Sequence, residues 1–318
     1  MRVAVLGTGR IGAYRADWLR SHPEVEQVLV GSIREGSVET VLDARPDAVV
    51  ISSATPDHPW QIRTCAGRGL PMLCEKPIAL TLHETRAALD AGGDLLQVSF
   101  QRRFDPAFAA ARQLVADGKL GTLYCVRMCA YDHEPSPEHF IPGSGGIFRD
   151  LHVHDFDIAR WLTGSEVERV YALGAVRRWE RFARHDDVDT AAILLTMADG
   201  LPVVITGSRH DPRGHDFRLE VLASEDSVSV GLDERTPLRP LEASAPPIGT
   251  RPYGGFLDRF AAAFDAELRA WLEFVRGEHE NPCPGVAALD ALRVAIACDR
   301  SRAEGRPVAV EEVSDDDA

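Results

Sequence analysis

The sequence lacks the features that nucleic-acid-binding and membrane-spanning proteins need. Its 318 residues carry 35 Lys and Arg against 49 Asp and Glu, a formal net charge of −14, whereas nucleic acids and anionic membrane surfaces attract positively charged proteins. No apolar run approaches the roughly 20 residues that cross a bilayer, and the short apolar run before Gly7 falls below a signal-peptide core of about 7–15 residues. We therefore expect a cytoplasmic protein that acts on a small molecule, not on nucleic acid or a membrane.

The sequence also lacks a recognisable metal or disulfide motif. Its 6 cysteines form no Cys-x-x-Cys pair, and a chain of this length does not need disulfides to hold a core. His152 and His154 lie near several aspartates, but residues two apart point to different faces of a helix, and no His-Glu-x-x-His motif is present. We therefore expect reduced thiols and no metal.

Strand-like and helix-like segments alternate in the N-terminal part of the chain. Short apolar runs lie at residues 2–6, 25–30, 47–52, 71–74 and 95–100, with helical patterns such as 59–68 and 82–91 between them. Such alternation is typical of parallel strands covered by helices on both faces. The sequence therefore predicts an α/β fold that begins with a Rossmann domain, a doubly wound parallel sheet, over residues 1–119.

The pattern changes from about Gly121 onward. Strand-like segments follow at residues 123–131, 167–176, 190–197, 202–208, 217–223 and 227–230. Hairpin-like turns such as Ala198-Asp199-Gly200 indicate antiparallel pairing. We therefore predict that residues 120–318 form an α+β domain with a mainly antiparallel open sheet, for substrate binding and oligomerisation.

Helices and loops complete the predicted second domain. We expect a helix at about 150–162 and late helices at 256–276 and 285–302, which are candidates to pack back on the first domain. The Pro-rich stretch 237–252 is expected to form an exposed loop. The acidic tail 311–318 is expected to be disordered, because it has little apolar surface to bury.

A glycine motif follows the first predicted strand. Gly7-Thr8-Gly9-Arg10-Ile11-Gly12 matches G-x-G-x-x-G between a strand and a helix, the context that gives this pattern its meaning. Gly7 permits a tight turn, Gly9 allows close approach of a pyrophosphate, and Gly12 allows close helix–strand packing. The helix N-terminus then attracts phosphate. The alternative is a glycine-rich turn without a ligand; the context favours dinucleotide binding by this motif, including Arg10 and Ile11.

The end of the second strand bears on the choice of dinucleotide. An acidic residue there binds the adenosine ribose of NAD and repels the 2′-phosphate of NADP. This chain has Ser32 near that position and Arg34 two residues later, and a hydroxyl with a guanidinium suits a phosphate. We therefore expect NADP or NAD, with NADP favoured. Alternatively, Arg34 is a solvated loop charge.

Two further motifs indicate a resemblance. Glu75-Lys76-Pro77 follows a strand, and residues 145–162 read GGIFRDLHVHDFDIARWL. With the glycine motif, they resemble the glucose–fructose oxidoreductase / inositol dehydrogenase (Gfo/Idh/MocA) family along nearly the whole chain, and within it the inositol 2-dehydrogenases. The resemblance implies hydride transfer between NAD(P) and a secondary alcohol of a cyclic polyol or sugar-like substrate. It also implies a cis bond before Pro77 and a homo-oligomer, a dimer or tetramer.

Three side chains are candidates for the chemistry. Alcohol oxidation needs a base for the hydroxyl proton while hydride leaves carbon. Lys76 can bind the reacting oxygen, and His154, as an imidazole, can move the proton near neutral pH. Asp150 precedes His154 by four residues, on the same face of a regular helix, and can orient the imidazole or contact a substrate hydroxyl. The resemblance makes these three the catalytic group; taken singly, each suits an ordinary surface position.

The resemblance assigns further positions. Thr55 and His58 are expected beside the nicotinamide and Glu75 near its ribose, while Gln101 and Arg102 are expected to contact substrate. Alternatively, Thr55 and His58 belong to an ordinary helix-start turn, and Arg102 pairs with Asp105 or Glu75.

One motif departs from the inositol enzymes. Arg213-Gly214-His215-Asp216 stands where they resemble Tyr-Gly-Tyr-Asp. Two basic residues, Arg213 and His215, favour an anionic substrate if they reach it. Otherwise they are solvated residues at a strand edge.

Two other functions share the glycine motif. A glycosidase that oxidises its substrate transiently with bound NAD needs the same glycines and lysine. A non-catalytic dinucleotide-sensing protein needs only the glycines, and usually lacks a complete Lys, Asp and His group.

Overall fold

The computed structural model describes residues 1–242, 251–315 and 317, and it divides the chain into two compact units. The first unit contains Met1–Phe100, Asp265–Leu292 and Asp315–Ala318, and the second contains Gln101–Phe264 and Arg293–Ser314. Both units are therefore discontinuous in sequence. The predicted domains, residues 1–119 and 120–318, meet at a single boundary and so differ from these two units. The domain limits stay a prediction.

The first unit is built on a five-stranded parallel sheet in the order β2-β1-β3-β4-β5. Its strands are β1 Arg2–Leu6, β2 Gln27–Gly31, β3 Ala48–Ile51, β4 Met72–Glu75 and β5 Leu96–Ser99. The connecting helices are α1 Arg10–Ser21, α2 Val38–Asp43, α3 His58–Ala66 and α4 Leu82–Gly92. The predicted Rossmann fold is confirmed, with strand limits close to those expected.

The core of the first unit explains why part of the C-terminal sequence belongs to it. Strand β3 is buried at every position, as parallel strands covered on both faces must be. Helix α9, Ala261–Val275, brings Leu268, Trp271 and Leu272, all fully buried, into the same cluster as Val50. Their spacing of three and four residues places them on one face of the helix.

The second unit is built on a seven-stranded sheet in the order β11-β10-β6-β9-β8-β7-β12. Its strands are β6 Leu123–Tyr131, β7 Val167–Ala175, β8 Thr190–Met197, β9 Pro202–Ser208, β10 Asp216–Ala223, β11 Ser227–Val230 and β12 Val308–Ala309. Only β6 and β9, among the described residues, pair in parallel. The predicted mainly antiparallel sheet is confirmed; the short β12 was missed because it is too short to show alternation.

The remaining helices include one irregularity that the sequence did not predict. They are α5 Pro106–Ala116, α6 Ile141–Ser144, α7 Val153–Thr163, α8 Phe256–Arg259 and α10 Val286–Glu304. A π-helical turn, Phe148–His152, precedes α7. The prediction of a regular α-helix from residue 150 is therefore wrong. The α-helical spacing assumed for Asp150 and His154 does not apply. The predicted helix at 256–276 is also two helices, divided at Phe260.

The two segments expected to be irregular differ from each other. The prediction of a disordered tail is wrong for residues 311–315, because Val310–Glu312 forms a 3₁₀ turn and the Glu312 carboxylate accepts hydrogen bonds from Ala309 N and Arg306; residues 316 and 318 lie outside the described residues. In the Pro-rich stretch, residues 238–242 and 251–252 lie outside helices and strands, and residues 243–250 are not among those described. Among the described residues, no helix has the length and apolar character to cross a membrane.

Candidate active site

The loops that carry the predicted cofactor residues follow neighbouring parallel strands. Gly7 follows β1, Thr55 lies after β3, and Lys76 comes directly after β4. The carboxyl ends of parallel strands meet at one edge of a sheet, and this edge is where such sheets bind ligands. The structure therefore brings the glycine turn, Thr55 and Lys76 to the same edge of the first unit.

The glycine turn has the geometry that a pyrophosphate requires. Gly7 has φ +118°, and a Cβ there would lie 2.3 Å from Ser52 O; a Cβ at Gly12 would lie 2.1 Å from Gly7 O. A Cβ at Gly9 would meet no described atom within 4 Å. Within the described residues, no side chain caps α1 at Gly9, and its first turn holds no acidic residue. Open space and the N–H groups of a helix N-terminus thus fit a dinucleotide phosphate.

The end of β2 is organised around Ser32. Ser32 is buried, its N–H donates to Ser37 Oγ at 2.9 Å, and Ser37 Oγ donates back to its carbonyl at 3.3 Å. Arg34 lies exposed in the turn that these bonds close. Of the two residues predicted to favour NADP, Arg34 is therefore the one whose side chain reaches solvent.

His58 links two loops of the first unit. Its ring is buried, with Nδ1 2.9 Å from Pro77 O and Nε2 3.1 Å from Ser53 O. Burial lowers its pKa. His58 thus ties the turn after β3 to the Lys76-Pro77 turn, whose peptide bond is cis, as the resemblance implied. Because both ring nitrogens face protein carbonyl oxygens, His58 supports these loops, and its place beside the nicotinamide stays a prediction.

A buried arginine lies behind Glu75. Arg15, on α1, is fully buried, and its Nη2 lies 2.8 Å from Glu75 Oε1, 2.9 Å from Glu267 Oε2 and 2.5 Å from Ser99 Oγ. Burial raises the pKa of Glu267 to about 7, against the opposing attraction of Arg15. Sequence reasoning missed this network. Its signal was a charged residue on the buried face of α1, where Arg15 follows Gly12 at helical spacing.

A second buried arginine lies in the second unit. Arg209 follows β9 and is 2% exposed; its Nη1 lies 2.7 Å from Asp150 Oδ2 and 3.7 Å from Asp132 Oδ2. Asp132 follows β6, the parallel neighbour of β9, so the two residues emerge at one edge of the sheet. Asp150 comes from the π-helical turn. Neither Arg209 nor Asp132 was predicted, although both directly follow strand ends.

The π-helical turn is anchored by a buried chain of hydrogen-bonded polar side chains. Arg102 Nη1 lies 2.5 Å from Asp155 Oδ1, and His152 Nδ1 lies 2.8 Å from Asp155 Oδ2. His152 packs on β9 at Gly207, where a Cβ would lie 2.0 Å from the His152 Nε2 atom. His154, in the first turn of α7, is buried as well. These contacts hold the turn that carries Asp150 against the second sheet.

Arg102 pairs with a residue that sequence reasoning did not consider for it. It is buried, pairs with Asp155, and its guanidinium lies 4.5 Å from the centroid of the Phe217 ring. Asp105 instead pairs with Arg259 at 3.2 Å and caps α5, while Glu75 pairs with Arg15. The alternative pairing of Arg102 with Asp105 or Glu75 is therefore wrong. Gln101 is also buried, and substrate contact by these two residues stays a prediction.

The two residues expected to add positive charge behave differently. Arg213 is exposed, and its Nε donates to Pro237 O at 2.8 Å. His215 is buried and stacks on Phe217 with 4.2 Å between ring centroids. Burial, helped by nearby arginines, lowers the pKa of His215 to about 3. His215 is therefore neutral at pH 7, so the expectation that it adds positive charge is wrong; substrate contact by Arg213 and His215 stays a prediction.

Comparison with known protein families assigns both parts of the chain. A family model described as an oxidoreductase family with an NAD-binding Rossmann fold matches residues 1–94. A second model, described as the GFO/IDH/MocA C-terminal domain, matches residues 108–229. The matches cover the glycine turn, Lys76, Asp150, His154 and Arg209.

Individual relatives are similar over nearly the whole chain. The chain is 35% identical to the myo-inositol dehydrogenase Hyg17 of Streptomyces leeuwenhoekii, over 97% of this chain and 100% of that protein. It is 34% identical to the scyllo-inositol 2-dehydrogenase (NAD(+)) of Bacillus subtilis, over 97% and 96%. A solved structure of a myo-inositol dehydrogenase from Corynebacterium glutamicum matches with a TM-score of 0.86 at 31% identity, over 97% of this chain and 98% of that one.

Proposed function

Because the chain belongs to the GFO/IDH/MocA family of NAD-binding oxidoreductases, we propose that it oxidises a secondary hydroxyl of a neutral cyclic polyol, with inositols as the first candidates. The observation that carries this proposal is the position of Lys76, directly after β4 at the sheet edge where the glycine turn also lies. The relatives named as inositol dehydrogenases support the choice of substrate class.

The proposed roles follow from the chemistry of each residue. The bound nicotinamide supplies the hydride acceptor. Lys76 binds the reacting oxygen, His154 accepts the hydroxyl proton, and Asp150 orients the imidazole or a substrate hydroxyl. These three residues form the proposed catalytic group.

Further residues are proposed to bind the cofactor and the substrate. The cofactor phosphates bind at the N-terminus of α1, where the backbone of the glycine motif offers N–H donors. Gln101 and Arg102 are proposed to shape the substrate side. Residues proposed to bind cofactor are Gly7, Gly9, Arg10, Ile11, Gly12, Ser32, Arg34, Thr55, His58 and Glu75.

Arg213 and His215 do not supply the positive charge that would favour an anionic substrate. His215 adds no positive charge at neutral pH because burial lowers its pKa to about 3, and the Arg213 side chain is held at Pro237 O. These two residues therefore give no support to an anionic substrate such as a sugar acid.

For the cofactor we propose a preference for NADP(H) over NAD(H). Ser32 stands near the position where an acidic residue would repel the 2′-phosphate, and the exposed Arg34 suits that phosphate. Titration of the protein with both reduced cofactors, followed by nicotinamide fluorescence, tests this preference. Tighter binding of NADH would contradict it and would align the chain with the relative whose name specifies NAD(+).

We also propose a homo-oligomer, a dimer or tetramer, that associates through the open face of the second sheet. This face exposes Leu173, Leu194 and Val204, and Leu194 lies opposite Val204 in the β8–β9 register. Exposed apolar groups clustered on a sheet are typical of association surfaces. Light scattering of the protein and of Leu194→Asp tests this: the variant is expected to dissociate, and a wild-type monomer would contradict the proposal.

The central experiment is a substrate panel of inositols, aldoses and sugar acids, followed by absorbance of the reduced cofactor. We expect steady net reduction with at least one inositol and none with sugar acids of similar size. An absence of reduction with every polyol, together with release of sugar from a glycoside, would instead favour the glycosidase with transient oxidation. Cofactor binding without turnover of any substrate would favour the dinucleotide-sensing alternative.

A further inference from the structure

Arg209 occupies an unusual position for a charged side chain. Its own side chain is 2% exposed, while those of Asp150 and Asp132 are 18% and 22% exposed. The cation therefore lies behind two carboxylates that reach solvent. Its backbone is fixed as well, because Arg209 N donates to Asp189 O at 2.8 Å. The Asp189 carboxylate in turn accepts backbone N–H groups from residues 177–179.

The contact between Arg209 and Asp150 joins two groups of opposite charge. Burial by itself would lower the pKa of Arg209, but the charge of Asp150 and two further aspartates outweighs it and raises that pKa. The guanidinium therefore stays charged. Its charge-assisted hydrogen bond of 2.7 Å to Asp150 Oδ2 restricts the direction of that carboxylate. Asp132 interacts with the same guanidinium more weakly, because its Oδ2 lies 3.7 Å from Arg209 Nη1.

We propose that Arg209 is a positioning residue that holds the Asp150 carboxylate in the direction that the reaction requires. The inference rests on the proposed function, since it requires Asp150 to act on the substrate or on His154. Arg209 has no role on the reacting atoms themselves and acts through Asp150. Asp132 shares the cation but is not the group through which Arg209 acts.

The test is a double-mutant cycle of Arg209→Met and Asp150→Asn, measured as single-turnover reduction of cofactor by an inositol. Arg209→Met is expected to slow this step about 100-fold, the effect of misplacing a reacting group by about 1 Å. In the Asp150→Asn background, Arg209→Met is expected to slow the same step less than about threefold. The effects of two residues that act as a unit are not additive. Additive rate losses from Arg209→Met and Asp150→Asn would overturn the proposal. Non-additive losses from Arg209→Met and Asp132→Asn, in place of Asp150→Asn, would also overturn it.

Two further variants separate positioning from a loss of folding. Arg209→Lys keeps the positive charge, and its single-turnover rate is expected to be about tenfold higher than that of Arg209→Met, with cofactor affinity unchanged. Arg127→Met removes an arginine from an exposed ion pair with Glu220 on the same sheet and is expected to have no effect. If Arg209→Met does not fold, the cycle is run with Arg209→Lys.

The outcomes distinguish a failure of this inference from a failure of the proposed function. Unchanged turnover in Asp150→Asn would refute the proposed role of Asp150 and, with it, the role of Arg209. Slow turnover in Asp150→Asn with additive losses from Arg209→Met would refute the role of Arg209 alone.

Discussion

Each unit places one buried arginine between two carboxylates, but the carboxylates differ. In the first unit, Arg15 pairs with Glu75, 15% exposed, and with Glu267, which is fully buried. In the second unit, Arg209 faces Asp150 and Asp132, both about one-fifth exposed. A buried carboxylate is protonated more easily than an exposed one, because burial disfavours its charged form. The first network is therefore sensitive to pH near neutrality, whereas the carboxylates of the second network reach solvent.

The two arginines also differ in the elements that they join. Arg15 joins α1 to α9 and holds Glu75 in place beside Lys76, all within the first unit. Arg209 joins the end of β9 to the π-helical turn that carries Asp150. Arg15 therefore supports the fold around a cofactor loop, whereas Arg209 supports a proposed catalytic carboxylate.

The largest effect is expected from the proposed reacting groups themselves, one in each unit. Lys76→Ala and His154→Ala should each lower turnover about 10²–10⁴-fold, the usual contribution of a group that handles the proton or the reacting oxygen. Cofactor affinity, measured by fluorescence titration, should stay near that of the wild type. Lys119→Ala, which removes an exposed lysine, is the matched control. Normal turnover in either variant would remove that residue from the catalytic group.

Arg15→Met should destabilise the first unit strongly. Above about pH 7, where Glu267 is ionised, the variant leaves this carboxylate buried without its cation, a change that costs about 3–5 kcal/mol of unfolding free energy. Denaturant unfolding followed by tryptophan fluorescence, which includes that of buried Trp271, measures the loss. Adding Glu267→Gln to this variant should restore part of the stability, because it removes the uncompensated charge. A double variant as unstable as Arg15→Met would show that packing, not charge, dominates at Arg15.

Glu267→Gln should flatten the pH dependence of stability. Since burial raises the pKa of Glu267 from 4.5 to about 7, the folded protein binds a proton that the unfolded chain releases. Stability from this group is present below pH 4.5 and is lost as the pH rises through 7, by at most about 3 kcal/mol. Unfolding midpoints of the wild type and the variant between about pH 4.5 and 8 measure it. Parallel curves for the two proteins would contradict the assignment.

The smallest effect is expected at an exposed arginine. Arg34→Ala should weaken NADP(H) binding about tenfold, the order of one charge-assisted hydrogen bond, and leave NAD(H) binding unchanged. Arg63→Ala, at another exposed position of the first unit, serves as the control. Equal loss of affinity for both cofactors would show that Arg34 does not read the 2′-phosphate.

The fold could be predicted from the sequence, but the buried ion pairs of Arg15 and Arg209 could not. Strands and helices follow local periodicity, so both sheets were predicted with small errors in strand limits, except for the two-residue β12, which was missed. The pairs Arg15–Glu267 and Arg209–Asp150 join residues 252 and 59 positions apart, and no local pattern shows which distant side chains meet. The π-helical turn was missed because residues 148–152 have the composition of an ordinary helix.

Hydride transfer from a polyol carbon to a nicotinamide cofactor is the central step proposed for this chain. The most direct measurement uses myo-inositol deuterated at its ring carbons, with the wild type and Lys76→Ala, and follows deuterium into the cofactor by mass spectrometry. We predict that deuterated NAD(P)H accumulates in proportion to a ketone product and is nearly lost in the variant. Deuterium that stays in the substrate, or appears in the cofactor equally with and without Lys76, would contradict this step.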